Sequence, residues 1–243
     1  MVGNNIPFEE LLNKHDSVFI GIGLGENANL VIPGENLTGV FDAVNFIREV
    51  KKENWSSVDI GKRVAVIGAG NTAIDVATAA VRLGAEEVTI LYRRSKKEMP
   101  ANDFEFELAK SDGVKFKFLT SPIEILGDSL VEGIQCVRME LGNKDKKGRR
   151  RSTKIPNSEF NVNVDMVVFA LGQRFKSSFL QSIPGVKIIE GKIEVNPESF
   201  QTANLKVFAG GDCINGGKEV VNAAYDGKQA ARGIDNYLSS VEN

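Results

Sequence analysis

An apolar strand that runs straight into GAGNTA and then into an alanine-rich helix leaves a chain few ways to fold. Lys62–Gly68 (KRVAVIG) reads as a buried parallel strand, Thr72–Leu83 as a helix, Gly84 as its C-terminal cap and Glu87–Tyr92 (EVTILY) as the next strand. Together they make a βαβ unit with a GxGxxA turn at its first crossing. Gly68 permits the tight turn, Gly70 has no side chain to hold a diphosphate off the backbone, and Ala73 lets the helix pack closely on the strand. The helix start offers unpaired N–H groups and the positive end of the helix dipole to an anion. Gly68, Ala69, Gly70, Asn71, Thr72 and Ala73 are therefore the candidate diphosphate site of a dinucleotide.

The second strand decides which dinucleotide is preferred. A unit that selects NAD usually ends this strand in an acid that hydrogen-bonds the ribose hydroxyls. Here it ends in Tyr92, Arg93 and Arg94, with Lys96 and Lys97 beyond and no acid before Glu98. A guanidinium can hold the extra phosphate of NADP in charge-assisted bidentate bonds, where a carboxylate would repel it. Arg93 and Arg94 point to NADP(H), with NAD(H) as the alternative if these residues only form a solvated strand end.

The rest of the chain reads as α/β. Phe8–Lys14 has helical spacing, Ser17–Gly23 (SVFIGIG) is a short buried strand, Ile32–Phe41 a loop and Ala43–Lys52 a helix. The polar stretch Glu53–Asp59 suggests a domain boundary near Asp59. A helix over Asp103–Ser111 precedes alternating strands (VKFKFL, PIEIL, GIQCVRMEL, SEFNVNV), expected as a β-meander on the sheet. The basic cluster Lys144–Lys154 reads as an exposed hairpin tip, and Val164–Gly172 as another buried strand. Strands are expected over Glu190–Val195 and Leu205–Ala209, then a long helix over Glu219–Leu238. In Val207–Ile234, Asp212 follows a strand and a glycine pair. It can accept hydrogen bonds from a polyol chain, and the helix start near Val220 and Val221 can face negative charge on a flavin ring. The simpler alternative is a turn aspartate followed by a helix cap.

Composition narrows the chemistry. Thirty basic against 32 acidic residues give a net charge of -2, so no global attraction to nucleic acid or membrane is expected. No apolar run reaches the ~20 residues of a bilayer span and no signal-peptide pattern opens the chain, which leads to an expected cytoplasmic location. The two cysteines, Cys136 and Cys213, lie far apart, and His15 is the one histidine, at an expected helix end. This excludes a CxxC dithiol, a four-cysteine cluster and a histidine-rich metal site within the chain. No metal ligand and no catalytic acid or base is assigned.

Four stretches, SVFIGIG with IPGENLTGV, RVAVIGAGNTAIDVATAAVRLGAEEVTILYRRSKKEMPA, VVFALGQ, and VFAGGDC with DGKQAA, cover nearly the whole chain in order. On them the chain resembles the glutamate synthase small-subunit family of NAD(P)H-dependent FAD oxidoreductases, which includes the NAD(P)H-oxidising part of dihydropyrimidine dehydrogenase. The resemblance implies a three-layer Rossmann-like fold, with a complete NAD(P) domain (58–175) inserted between two parts of an FAD domain (1–57 and 176–243). It implies hydride transfer from NADPH to FAD and onward electron flow to an accepting subunit or domain. It also assigns Ala170, Leu171, Gly172 and Gln173 to the nicotinamide side, and Gly211, Asp212, Val220 and Val221 to the flavin. The family's own GxGxxG for FAD and its cluster-binding cysteines are not in this chain, whose opening VGNNIPFEELL resembles the middle of a longer member. The expectation is a C-terminal portion that lacks an N-terminal iron–sulfur and FAD segment and encloses FAD only in part. A non-catalytic NADP(H)-binding module, or a fragment without flavin, is the alternative.

Overall fold

Short apolar strands, buried residue after residue, build a central sheet. In the computed structural model, which describes residues 2–3, 5–28, 30–52, 58–144, 148, 150–174, 180 and 183–241, five strands lie parallel. Their order is Val40–Asp42, Met166–Phe169, Arg63–Ile67, Glu87–Tyr92 and Lys115–Phe118. Runs such as VAVI and MVVF are apolar throughout because the sheet is covered on both faces. On one face Val64, Val66 and Ile90 pack under the helices Ala43–Lys51, Asn71–Arg82 and Asp103–Ser111, through Phe46, Ala73, Ile74, Ala77 and Ala109. On the other, Ala65, Ile67, Leu91 and Val167 meet Ile125, Ile134 and Cys136 of an antiparallel meander. Its strands are Thr120–Leu126, Gly133–Lys144 and Arg150–Val162. Helices, parallel sheet and meander form the three layers of a Rossmann-like α/β fold. Each fully buried Val, Ile or Phe contributes roughly 1.5–3 kcal/mol of burial energy.

The chain divides into two units, Asn27–Gly172 and Met1–Glu26 with Gln173–Asn243. The first crossing thus lies at Glu26/Asn27 rather than near Asp59, and the second at Gly172/Gln173 rather than after residue 175. The reason is packing: Val40–Asp42 pairs with Met166–Phe169 as the sheet's edge strand, and Ala43, Phe46 and Val50 are buried in its helical face. Most of IPGENLTGVF is loop, but its end is that strand. VKFKFL also departs from expectation. Lys115–Phe118 pairs in parallel with Glu87–Tyr92, so it belongs to the central sheet and not to the meander. The basic cluster lies at a hairpin whose strands register Lys144 against Arg150; residues 145–147 and 149 lie outside the described residues.

In the smaller unit Val18–Ile20 and Val207–Ala209 form a parallel pair. Ile20, Val207, Ala209 and Cys213 share a core with Ile183 and Ile193, flanked by Phe8 and Leu12 of the helix Phe8–Lys14. Phe208 faces the opposite way, against Tyr237 of the long helix Val220–Val241. The expected strand Glu190–Val195 is instead a tight hairpin, Ile188–Ile189 with Lys192–Ile193, turned by Glu190 and Gly191 at φ 50° and 76°. His15 is exposed and ends the first helix.

Candidate functional site

The glycine turn sits where the strand Arg63–Ile67 ends and the helix Asn71–Arg82 begins. Gly68 has φ 132°, and a Cβ there would stand 2.1 Å from the Ala170 carbonyl oxygen. No other residue type fits that close approach. The Gly68 amide donates to Leu91 O at 3.1 Å and the Ala170 amide to Ile67 O at 2.8 Å. Ala170 is thereby fixed against the turn by the central strands. Ala69 and Ala73 are buried, whereas Asn71 and Thr72 are exposed in the first helical turn. Gly70 O accepts from the Ala73 and Ile74 amides, so the N–H groups of Asn71 and Thr72 come first in the helix and have no intrahelical acceptor. A Cβ on Gly70 would find nothing nearer than Pro100 Cγ, at 3.8 Å. The space over the turn is open, and the donor set suits a diphosphate.

The arginines follow the neighbouring strand. Arg93 is exposed and Arg94 half-buried, and Arg94 Nε is buried with no hydrogen-bond partner among the described residues. An unsatisfied guanidinium donor is costly, and a phosphate oxygen would satisfy it. Burial pushes the neighbouring Tyr92 phenol up, against the lowering effect of the Arg94 charge. The turn, the arginine pair and Ala170 therefore belong to one unit, and they fit NADP(H).

Several residues that the motif reading missed complete this region. The Tyr92 hydroxyl donates to Glu98 O at 2.7 Å. Glu98 Oε2 accepts from the Ser95 amide at 3.3 Å and from the Ser95 hydroxyl. The Ala101 amide donates to Ala69 O, and the Asn102 amide to Asn71 Oδ1. Ser95 and Glu98 stand as Ser-x-x-Glu at the start of the short helix Lys96–Glu98, a pattern visible in the sequence. Lys96, by contrast, leaves the site: its ammonium lies 3.9 Å over the Phe106 ring and 3.1 Å from Glu107.

In the smaller unit Gly211 has φ 79° and begins the short helix Asp212–Asn215. Asp212 Oδ1 accepts from the Lys218 amide at 3.2 Å and closes the glycine loop, the role of a turn aspartate. Asp226, unread in the sequence, accepts from the Gly211 amide and from Asn215 Nδ2. Val220 and Val221 open the long helix at 85% and 68% exposure. Gly211, Asp212, Val220 and Val221, the residues expected at the flavin, all lie in this unit, as does Gln173, which is separated from Ala170–Gly172. Both thiols are buried and free; burial raises Cys213 and pushes Cys136 up to about 12, so neither is a nucleophile.

The profile of the pyridine nucleotide-disulphide oxidoreductase family matches residues 9–227. The chain belongs to this family. Among the chain's relatives are the glutamate synthase [NADPH] small chain of Halomonas elongata (38% identical, 98% of this chain, 53% of the relative) and the NADP(+)-dependent formate dehydrogenase subunit beta of Moorella thermoacetica (40%, 98%, 34%). The glutamate synthase [NADPH] small chain of Escherichia coli is 37% identical over 98% of this chain and 53% of its own length. The chain thus spans between a third and about half of the length of these three relatives. FprA of Mycobacterium tuberculosis in complex with NADPH superposes with a TM-score of 0.75 at 24% identity, covering 100% of this chain and 67% of that one. A thioredoxin reductase of T. acidophilum superposes with a TM-score of 0.70 at 23% identity, covering 93% and 66%. Both share the fold. Among the described residues, no helix is long and apolar enough to cross a membrane.

Proposed function

We propose that this chain is the part of an NADPH-dependent flavoprotein oxidoreductase that brings NADPH to FAD and delivers the electrons to a partner subunit. The carrying observation is the Gly68–Ala73 turn with Arg93 and Arg94 at the end of the adjacent strand. The larger unit binds and orients: the turn holds the diphosphate, the arginines hold the 2′-phosphate, and Ala170, Leu171 and Gly172 flank the nicotinamide. The smaller unit, with Gln173, Gly211, Asp212, Val220 and Val221, takes the flavin end. A bound flavin would accept a hydride and release electrons one at a time, and this protein's side chains need only position the reactants.

The relatives' names support this reading. They share NADP(H) but differ in what they serve, glutamate synthase in one case and formate dehydrogenase in another, and they are small chains or subunits. On the glutamate synthase pattern the partner is an electron-accepting subunit or domain, whereas the formate dehydrogenase name, with NADP(+) as oxidant, runs the electrons the other way. The ADP half of FAD and the iron–sulfur relay belong, on this proposal, to sequence of the kind the longer relatives carry beyond the match. A cytoplasmic location goes with NADPH as reductant and with two free thiols.

Anaerobic addition of NADPH to the FAD-loaded full-length protein should bleach the flavin absorbance. Nucleotide binding without bleaching would return the dinucleotide-binding module instead. Replacing both Arg93 and Arg94 by alanine should weaken NADPH roughly 10- to 100-fold and leave NADH nearly unchanged, the scale of one or two charge-assisted hydrogen bonds. An unchanged NADPH/NADH affinity ratio would remove the arginines from the site.

A further inference from the structure

We propose that Ser95 and Glu98 are the positioning residues for selection of the phosphorylated dinucleotide, holding Arg93 and Arg94 in place beside the glycine turn. This rests on the reading above, in which the larger unit binds NADPH. The sequence sets a problem here. Glu98 is the first acid after the arginine pair, and a mobile carboxylate there would compete for the guanidiniums and repel the 2′-phosphate.

The structure ties that carboxylate down. Glu98 Oε2 is bonded by both the amide and the hydroxyl of Ser95. These bonds first, and the charge of Arg150 from the meander hairpin after them, hold the Glu98 carboxyl below the usual carboxylate range. Arg150 is itself locked, donating to Leu141 O and Gly142 O at 3.0 and 3.1 Å. Glu98 thus remains ionised but occupied.

The same residue closes a loop around the arginines. The Tyr92 hydroxyl reaches Glu98 O, so the residue before the pair is bonded to the residue four places after it. Leu119 N donates to Arg94 O at 3.0 Å, and the Met99 amide to Lys96 O at 3.1 Å. Ala101 and Asn102 then bond back to Ala69 and Asn71 of the glycine turn. Arg93 and Arg94 lie on a segment fastened at both ends, to the second strand and to the diphosphate turn. The Tyr92 hydroxyl also faces the Arg94 side chain, so this frame and Tyr92 together place Arg94, while its Nε has no partner among the described residues. A frame built before the ligand arrives lowers the ordering cost of binding, and it does so only for a ligand that uses the arginines.

The test is calorimetric titration of the full-length protein with NADPH and with NADH, beside steady-state kinetics. Ser95→Ala should weaken NADPH roughly threefold to tenfold, raise its KM, and leave kcat at saturation and the NADH affinity unchanged. Ser95→Thr, which keeps the hydroxyl, should restore the preference. Tyr92→Phe, which removes the hydroxyl that bonds Glu98 O and faces the Arg94 side chain, should show the same selective loss, and carries the test if Ser95→Ala unfolds. Equal weakening of both nucleotides, or of neither, overturns the positioning role. A wild-type protein without preference for NADPH would instead overturn the underlying reading of Arg93 and Arg94, a distinct result visible before any variant is made.

Discussion

Two helices show how differently the two units are finished. Asn71–Arg82 has 12 residues and buries six of them, Ala73, Ile74, Val76, Ala77, Thr78 and Ala80, against a five-stranded sheet. Val220–Val241 has 22 residues and buries only Ala230 and Gly233, over a sheet of two strands. A two-stranded sheet is marginal without further packing. The larger unit therefore carries a well-buried core of its own, while the smaller has an exposed helix face and a short sheet. This supports the proposal that sequence beyond this chain completes the flavin side, and it turns the contrast into something measurable.

The sharpest way to break the contrast is at the turn itself. Gly68→Val should destabilise the larger unit by about 3 kcal/mol or more, since the side chain meets a carbonyl oxygen and must adopt φ 132°. NADPH binding should be lost, and the circular-dichroism melting temperature should fall steeply. Retention of both would mean that the sheet can spread at Ala170.

A smaller effect is expected in the other unit. A Cβ on Gly233 would lie 2.0 Å from Ser199 O, so Gly233→Val should cost roughly 1–3 kcal/mol by pushing the long helix off its neighbour. If the units are independent, NADPH affinity stays at its wild-type value while a separate early melting step appears. A single shifted transition with weakened NADPH would show that the two fold as one cooperative body.

How much of this was readable depends on where the signal lies. The turn was legible because Gly68, Gly70 and Ala73 stand at fixed spacing between an apolar strand and a helix, although the approach that requires Gly68, to Ala170 O, is tertiary. The first crossing was not, because a polar stretch before Asp59 resembles a linker whichever sheet Val40–Asp42 joins, and only its pairing with Met166–Phe169 decides that. KFKF alternates like an edge strand of a meander, yet it pairs in parallel, and pairing partners carry no local mark. The Ser95–Glu98 arrangement lay between these cases: its spacing was visible, but its link to Ala69 and Asn71 is tertiary. Asp226 was quoted within DGKQAA, but nothing in that string announces the Gly211 amide it accepts from.

The smallest predicted effect concerns Asp75, on the same helix as the turn. Asp75 is exposed on the helix, but partial desolvation of its carboxyl raises the pKa, and the opposing charge of Lys51 is the weaker influence. The native state therefore binds this proton more tightly than the unfolded chain does. Between the unfolded aspartate value, about 3.9, and the raised native one, stability falls as pH increases, and the deficit persists at neutral pH. An asparagine side chain in its place carries no charge to desolvate. Asp75→Asn should accordingly melt slightly higher than wild type at pH 7, with the difference shrinking towards zero as the pH falls below about 4. The helix is the one whose start is proposed to hold the diphosphate, a group both nucleotides share, so the same variant should leave the NADPH/NADH ratio untouched. A variant that melts lower at pH 7 would show that Lys51, rather than desolvation, dominates at this position, and that the larger unit draws net stability from an ion pair on its helical face.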